Sequence, residues 1–301
     1  MALTLNRSPS SVSRELRRNF PLHRRYTPRL ANERALKKRK SRGRKLRLKN
    51  GFIRRYVVTQ LMAGYSPEQI SGRLKLDYPQ EAISHEAIYQ YIYHRIHSDY
   101  LKLGYRDLRI YLKRRHKRRA RKGMRKGQRI FKPKGLSIEE RPVEVLKRKT
   151  VGHWEGDSVV SRKSKVGLNT LVERKTGLVL ISKIPNGTSS ITADTVINRL
   201  KHLSCKTLTT DNGTENFAYE KIQAALQISC YFAHPYCSGE RGTNENTNGL
   251  IRWYFPKGTD FATVSEADIA RVEYILNTRP RKRLGWKTPL EAFNESVALQ
   301  G

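Results

Sequence analysis

Apolar positions in the first third of the chain recur at helical spacing. Ile53, Val57 and Leu61 lie four apart and stop at Gly64, and Ile70 and Leu74 resume the same interval. Ile88, Tyr91, Ile92 and Ile96 then follow at the mixed three-and-four spacing of one helix face. Start signals stand in the breaks. Ser66-Pro67-Glu68-Gln69 offers a cap, a proline at the first helical position and a glutamine placed to close a capping box, and Ser84 is placed to cap the third run. Three helices joined by a glycine-containing turn and a short loop predict a helix-turn-helix over residues 51–100, its third helix turning His85, Glu86, Tyr89 and Gln90 outward. Upstream, Ser8-Pro9 begins another helix with Val12 and Leu16 on one face and Ser11, Arg14, Arg17 and Arg18 on the other, the face a recognition helix shows to a groove.

The period changes beyond Val151. "HWEGDSVVS" reads as a strand, and "LNTLVER" with "LVLISKI" reads as a hairpin across Lys175-Thr176-Gly177. A helix is predicted over 188–203 from Ala193, Val196, Ile197 and Leu200. "KTLTT" is a short strand, "NFAYEKIQAALQ" a helix, "SCYFAHPY" a strand, and "GTNENTNGLIRWYF" an amphipathic helix with polar cap residues at its start. The order βββαβαβα predicts an α/β domain over 149–301 built on a mixed sheet: a three-strand meander, then parallel strands reached through right-handed crossovers.

Charge divides the chain the same way. Residues 1–150 hold 42 Lys+Arg against 11 Asp+Glu and residues 151–301 hold 19 against 15, so +31 of the +35 lies in the first half. Such a segment repels itself unless a polyanion neutralises it, which points to nucleic acid. The basic blocks "LKKRKSRGRKLRLK" and 113–134, the latter with 13 Lys+Arg and no acid, are expected to be extended, phosphate-seeking linkers within 21–50 and 101–148. They supply affinity, while base contacts must come from the helices. Three cysteines, Cys205, Cys230 and Cys237, form no CxxC pair and read as reduced thiols in a cytosolic protein. No apolar run approaches the roughly 20 residues of a membrane span, and residues 1–20 lack the apolar core of a signal peptide.

Candidate chemistry comes from acids at strand ends. "TLTTDNG" stops a β-branched run at Asp211, and Asp-Asn-Gly is good turn chemistry as well as a possible site. In open sheets ligands collect beyond the carboxyl ends of strands where neighbours diverge. Asp157 lies in the strand this topology sets beside that of Asp211, and Glu245 sits on the helix after the last strand. Carboxylates gathered at one edge repel unless a cation neutralises them, and hard oxygen donors suit Mg²⁺ or Mn²⁺. Two such ions serve phosphoryl transfer. Glu155 alternates with Asp157 on the same strand face, and periodicity does not choose between them. Glu173 at a hairpin end reads as a solvated charge, and Glu215 and Glu240 as residues favouring helix starts.

With "GHWEGD", "TTDNGTE", "ERGTNENTNGLIRWYFPKGTDF" and "LNTRPRKRLGWKTPLEAF", nearly the whole chain resembles transposases of the insertion sequence 30 family. These belong to the retroviral-integrase-like recombinases with a ribonuclease H-like core. By position, the resemblance implies that the catalytic, metal-holding acids are Asp157, Asp211 and Glu245, with 33 residues between the last two. It thereby prefers Asp157 to Glu155. Arg241, Asn244, Asn248 and Arg252 are then placed to hold phosphates around Glu245, and Gly249 to admit the backbone closely. Implied too are binding to the terminal inverted repeats of an element, nicking of its ends, joining of the 3′-hydroxyl to target DNA, two Mg²⁺ or Mn²⁺ ions, a homo-oligomer on DNA, and a bacterial, nucleoid-associated location. Family members carry two further helices before "SPSSVSRELRRN", so residues 1–20 read as the recognition helix of a truncated or mis-started first helix-turn-helix. A different class, a DNA-binding regulator that occupies element ends without cutting, shares every feature except the need for the three acids.

Overall fold

The computed structural model describes residues 2–20, 25–41, 48, 50–97, 107–112, 135–161, 163–234, 240 and 242–299. Helix α1 (Pro9–Asn19) begins where Ser8 accepts a hydrogen bond from the Ser11 amide, and no residue of it is buried. Helix α2 (Pro28–Ser41) runs into the first basic block, which corrects the expectation of an extended linker there. Pro28 opens the helix, the residues after it are mostly strong helix formers, and an i,i+4 pair of Arg29 and Glu33 at 3.7 Å spans one turn.

Helices α3 (Gly51–Met62), α4 (Pro67–Asp77) and α5 (His85–His97) bury Ile53, Val57, Leu61, Ile70, Ile88 and Ile92 in one cluster, with the capping box of Ser66 and Gln69 formed. Leu48, Leu108 and Leu112 complete that cluster from segments assigned to basic linkers. The apolar residue within each charged stretch supplies the area three short helices lack.

Strand β1 (Leu136–Ser137) and helix α6 (Val143–Lys147) precede the predicted order. That order is then found element by element: β2 (His153–Val160), β3 (Gly167–Glu173), β4 (Val179–Ile184), α7 (Ser189–Leu200), β5 (Thr207–Thr210), α8 (Tyr219–Leu226), β6 (Ser229–Phe232) and α9 (Gly242–Tyr254), followed by α10 (Glu266–Asn277) and α11 (Pro289–Ala298). The sheet order is β1-β6-β5-β2-β3-β4, with β2, β3 and β4 antiparallel neighbours and β2, β5, β6 and β1 parallel. This is the mixed sheet that was expected, widened by β1. A two-residue strand carries no periodicity, which is why its pairing was not legible.

Each face of the sheet has its own core. Trp154, Leu171 and Leu208 pack under α7 and α8 together with Phe293 of α11, while Val159, Leu168, Val172 and Val179 pack under α9 and α10. Strand β3 is buried along its whole length because both layers cover it. Glu173 is buried as well, contrary to the solvated charge expected. Its Oε2 accepts from the amide and hydroxyl of Thr176, both at 2.6 Å, and so closes the hairpin turn.

Candidate active site

The open edge beside β2 follows from its pairing. The ladder with β5 ends at Glu155↔Thr209, whereas the ladder with β3 continues to Val160↔Gly167. Beyond Glu155, β2 keeps one neighbour while β5 turns away through Asp211-Asn212-Gly213, the divergence at which open sheets bind ligands. Asp157 stands two residues past the last β2–β5 pair, Glu155↔Thr209, and Asp211 likewise two residues past it, so each follows the end of the ladder where the strands part.

Helix α9 lies across the same face of β2. Asn248 donates from its amide to Asp157 Oδ2 at 2.7 Å, and its Oδ1 accepts from the Thr170 hydroxyl at 3.2 Å. Thr170, directly opposite Asp157 on β3, also donates to the Asp157 carbonyl at 3.1 Å. One helical turn earlier, the Asn244 amide N–H donates to Glu155 Oε2 at 3.1 Å. Four helical residues advance about 6 Å and two strand residues about 6.6 Å, so one turn of α9 spans Glu155 and Asp157 together.

The two acids have different surroundings. Glu155 is wholly buried and paired with the guanidinium of Arg174, itself buried, and Arg174 also donates to the Val145 carbonyl at 3.2 Å. Burial holds the Arg174 pKa down and the Glu155 carboxylate opposes that shift. Arg141 donates to Thr209 at 3.1 Å beside this pair, its pKa also lowered by burial and by Arg174. Glu155 thus ties the sheet to the first turn of α9, while Asp157 is half-buried at the open edge. Asp211 Oδ1 accepts from Asn216 at 2.9 Å and from the Gly213 amide at 3.1 Å, which fixes the turn after β5. Asn212 donates to the Ala233 carbonyl at 3.0 Å and binds that turn to the end of β6. There His234 Nδ1 lies 2.9 Å from Glu240 Oε1, an interaction that raises the imidazole pKa.

Glu245 is exposed on the α9 face that also carries Asn248, Gly249 and Arg252. Among the described residues no three His, Cys, Asp or Glu side chains lie close enough to hold one metal ion. Arg252 donates to the Val160 carbonyl at 2.9 Å and lies 5.6 Å over the Phe261 ring, so it braces the end of β2. Asn244 does not face outward as a phosphate contact requires. Its side chain is wholly buried, because 244, 247 and 251 form the inward stripe of α9, and neither amide atom has a partner among the described residues. Arg241 lies outside the described residues, as do the 113–134 block and Cys237.

On the three-helix module His85 and Glu86 are exposed, whereas Tyr89 is half-buried and donates its hydroxyl to Glu68 of α4 at 3.0 Å. That corrects its outward placement. Burial, then Glu68, pushes the phenol up to about 12. Gln90 donates to Glu86 at 2.7 Å along the α5 surface. On α1, Ser11 belongs to the cap, accepting from the Ser8 hydroxyl at 2.8 Å. Arg14 and Arg18 each donate to a carbonyl one turn earlier and remain exposed with Arg17. Sequence reasoning missed Thr170, Arg174 and Asn216. Thr170 and Arg174 were legible only as strand residues and Asn216 only as a residue near a helix start; the Asx-turn signal belonged to Asp211, whose Oδ1 accepts from the Gly213 amide two residues on.

No family model matches the chain. It is 38% identical over 293 residues to the transposase for insertion sequence element IS4351 of Bacteroides fragilis, covering 96% of this chain and 87% of that one. Identity to transposase InsI for insertion sequence element IS30A of Escherichia coli is 38% over 310 residues, with 99% and 79% covered. The transposase for insertion sequence element IS1086 of Cupriavidus metallidurans is 35% identical over 307 residues, with 99% and 89% covered. Among solved structures, the catalytic core domain of BIV integrase aligns with a TM-score of 0.41 at 23% identity, over 49% of this chain and 97% of its own.

Proposed function

This chain belongs to the insertion sequence 30 family of transposases, and on that premise we propose that it cuts DNA at the ends of its element at the Asp157–Asp211 edge and joins the freed 3′-hydroxyl to target DNA. The observation that carries the reading is the edge itself. Asp157 and Asp211 each lie two residues beyond the last β2–β5 pair, where the strands part, and Asn248 on the Glu245-bearing face of α9 donates to Asp157. We assign catalysis and metal holding to Asp157, Asp211 and Glu245.

The donor set fits Mg²⁺ or Mn²⁺: carboxylate oxygens only, two of them oriented by the amides of Asn248 and Asn216. Two carboxylates completed by water and phosphate oxygens are the partial shell Mg²⁺ favours, and Glu245 would complete it on the DNA-bound protein. The chemistry such ions would supply, when bound, is neutralisation of the charge that builds on the phosphoryl oxygens during in-line displacement. The protein's share is positioning. Thr170 fixes the rotamer of Asn248, Asn248 that of Asp157, and Asn216 with Gly213 that of Asp211. Helix α5, through His85 and Gln90, and helix α1, through Ser11, Arg14, Arg17 and Arg18, approach DNA grooves. The basic stretches, with Arg241 and Arg252, neutralise phosphates. An element has two ends, so copies of the chain assemble on DNA.

The test is a nicking and strand-transfer assay on a labelled duplex carrying the element's end, with Mg²⁺ or Mn²⁺, run beside Asp211→Asn. A divalent-dependent cut leaving a 3′-hydroxyl is expected, lowered by several orders of magnitude in the variant while DNA binding persists. Cutting that survives in Asp211→Asn refutes the assignment. Binding without any cut would make the protein an end-occupying regulator.

A further inference from the structure

The motif "TRPRKRLGWKTPLEAF" has no part in the chemistry above, yet it receives the three-helix module. From the α3–α4 turn, the Tyr65 hydroxyl donates to the Thr278 carbonyl at 2.8 Å, and the Gly64 carbonyl accepts from Arg279, which also donates to the Tyr254 hydroxyl at 3.1 Å. From α4, Gln69 donates to the Pro280 carbonyl at 2.7 Å. Arg73 grips Glu291 with two parallel bonds of 2.7 and 2.8 Å while its Nε holds Asp77 at 2.8 Å. The Arg73 guanidinium holds the Glu291 carboxyl down to about 2.

Two backbone features show that the fit is specific. Gly72, in the middle of α4, is buried against the Trp286 indole, and a Cβ there would land inside the ring. Trp286 itself holds a φ of +71°, a left-handed conformation that costs any L-residue energy and persists only where its surroundings enforce it. Meanwhile the first turn of α5 remains outward, with His85 and Glu86 exposed.

We propose that residues 278–291 are a latch holding the three-helix module at one setting on the catalytic domain, so that the distance from the sequence α5 reads to the phosphodiester cut is fixed. The inference rests on the cleavage reading of the Asp157–Asp211 edge. It makes Gly72, Arg73, Trp286 and Glu291 positioning residues for the point of cutting.

Gly72→Ala tests it in the full-length chain, because alanine favours the helix itself and only the interface refuses it. Three readouts are needed: binding to the end duplex by fluorescence anisotropy, cut positions on a sequencing gel, and thermal melting. The expected variant binds as wild type does and melts cooperatively. Its cuts, however, scatter over neighbouring phosphodiesters or fall about a hundredfold, as a displaced reacting group requires. One unshifted position cut at the wild-type rate overturns the latch. Should Gly72→Ala fail to fold, Glu291→Gln is scored by the same two outcomes. If wild type itself does not cut, the cleavage reading falls and docking is judged by melting alone. Arg73→Met, Glu291→Gln and their combination should then lower the melting temperature non-additively, and additive lowering shows that the pair is not made in solution.

Discussion

Glu155 and Asp157, two residues apart on one strand, should respond oppositely to the loss of charge. Glu155→Gln removes the partner of Arg174 inside the protein and turns an amide donor toward the Asn244 N–H that the carboxylate accepts. Breaking a buried pair from one side costs about 3–5 kcal/mol, since the remaining charge is neither paired nor hydrated. Against a total of roughly 5–15 kcal/mol for a folded protein, that is a large fraction. Trp154, wholly buried in the adjoining position and donating to the Ser204 carbonyl at 2.9 Å, reports the unfolding by fluorescence in urea. Asp157→Asn keeps an oxygen for Asn248 and stays half-buried, so its midpoint should move by under about 1 kcal/mol while cutting is abolished. Glu155→Gln combined with Arg174→Met should recover much of the loss, because a paired charge replaced on both sides costs little. A Glu155→Gln shift below about 1 kcal/mol, or an Asp157→Asn shift as large as that expected for Glu155→Gln, refutes the division of roles.

Other expectations follow from single interactions. Asn248→Ala removes the amide that orients Asp157 and should lower cutting about 10–100-fold with DNA binding intact, measured as single-turnover nicking. Deleting residues 113–134 should weaken binding to all sequences and flatten the slope of log affinity against log salt by about 0.9 for each phosphate that is no longer neutralised. An unchanged slope would make the segment a spacer. Glu291, whose pKa is depressed from 4.5 to about 2, contributes stability that is complete above pH 4.5 and is lost as pH falls toward 2. Unfolding midpoints measured over that range should therefore fall more steeply for wild type than for Glu291→Gln.

Periodicity and cap chemistry determined most elements without help from the fold. Ile53, Val57 and Leu61, the box of Ser66 and Gln69, and the alternation in "HWEGDSVV" are local signals, because helices and strands are stabilised by neighbours three, four or two residues away. The order of those elements implied the sheet, and a β-branched run ending at Asp211 implied a strand end. Family resemblance, carried by motifs around Asp157, Asp211 and Glu245, then singled out the acids. Tertiary structure decided what depended on separation in space. Glu155 and Asp157 are equivalent along the chain, and only Arg174 and α9, 19 and about 90 residues away, make the first a buried tie and leave the second at an open edge. The burial of Asn244 likewise comes from the helix-on-sheet packing of α9. Docking of α4 on Trp286 and Glu291 joins segments more than 200 residues apart, and no local period encodes it, since long-range contacts are set by which faces meet after the chain has folded.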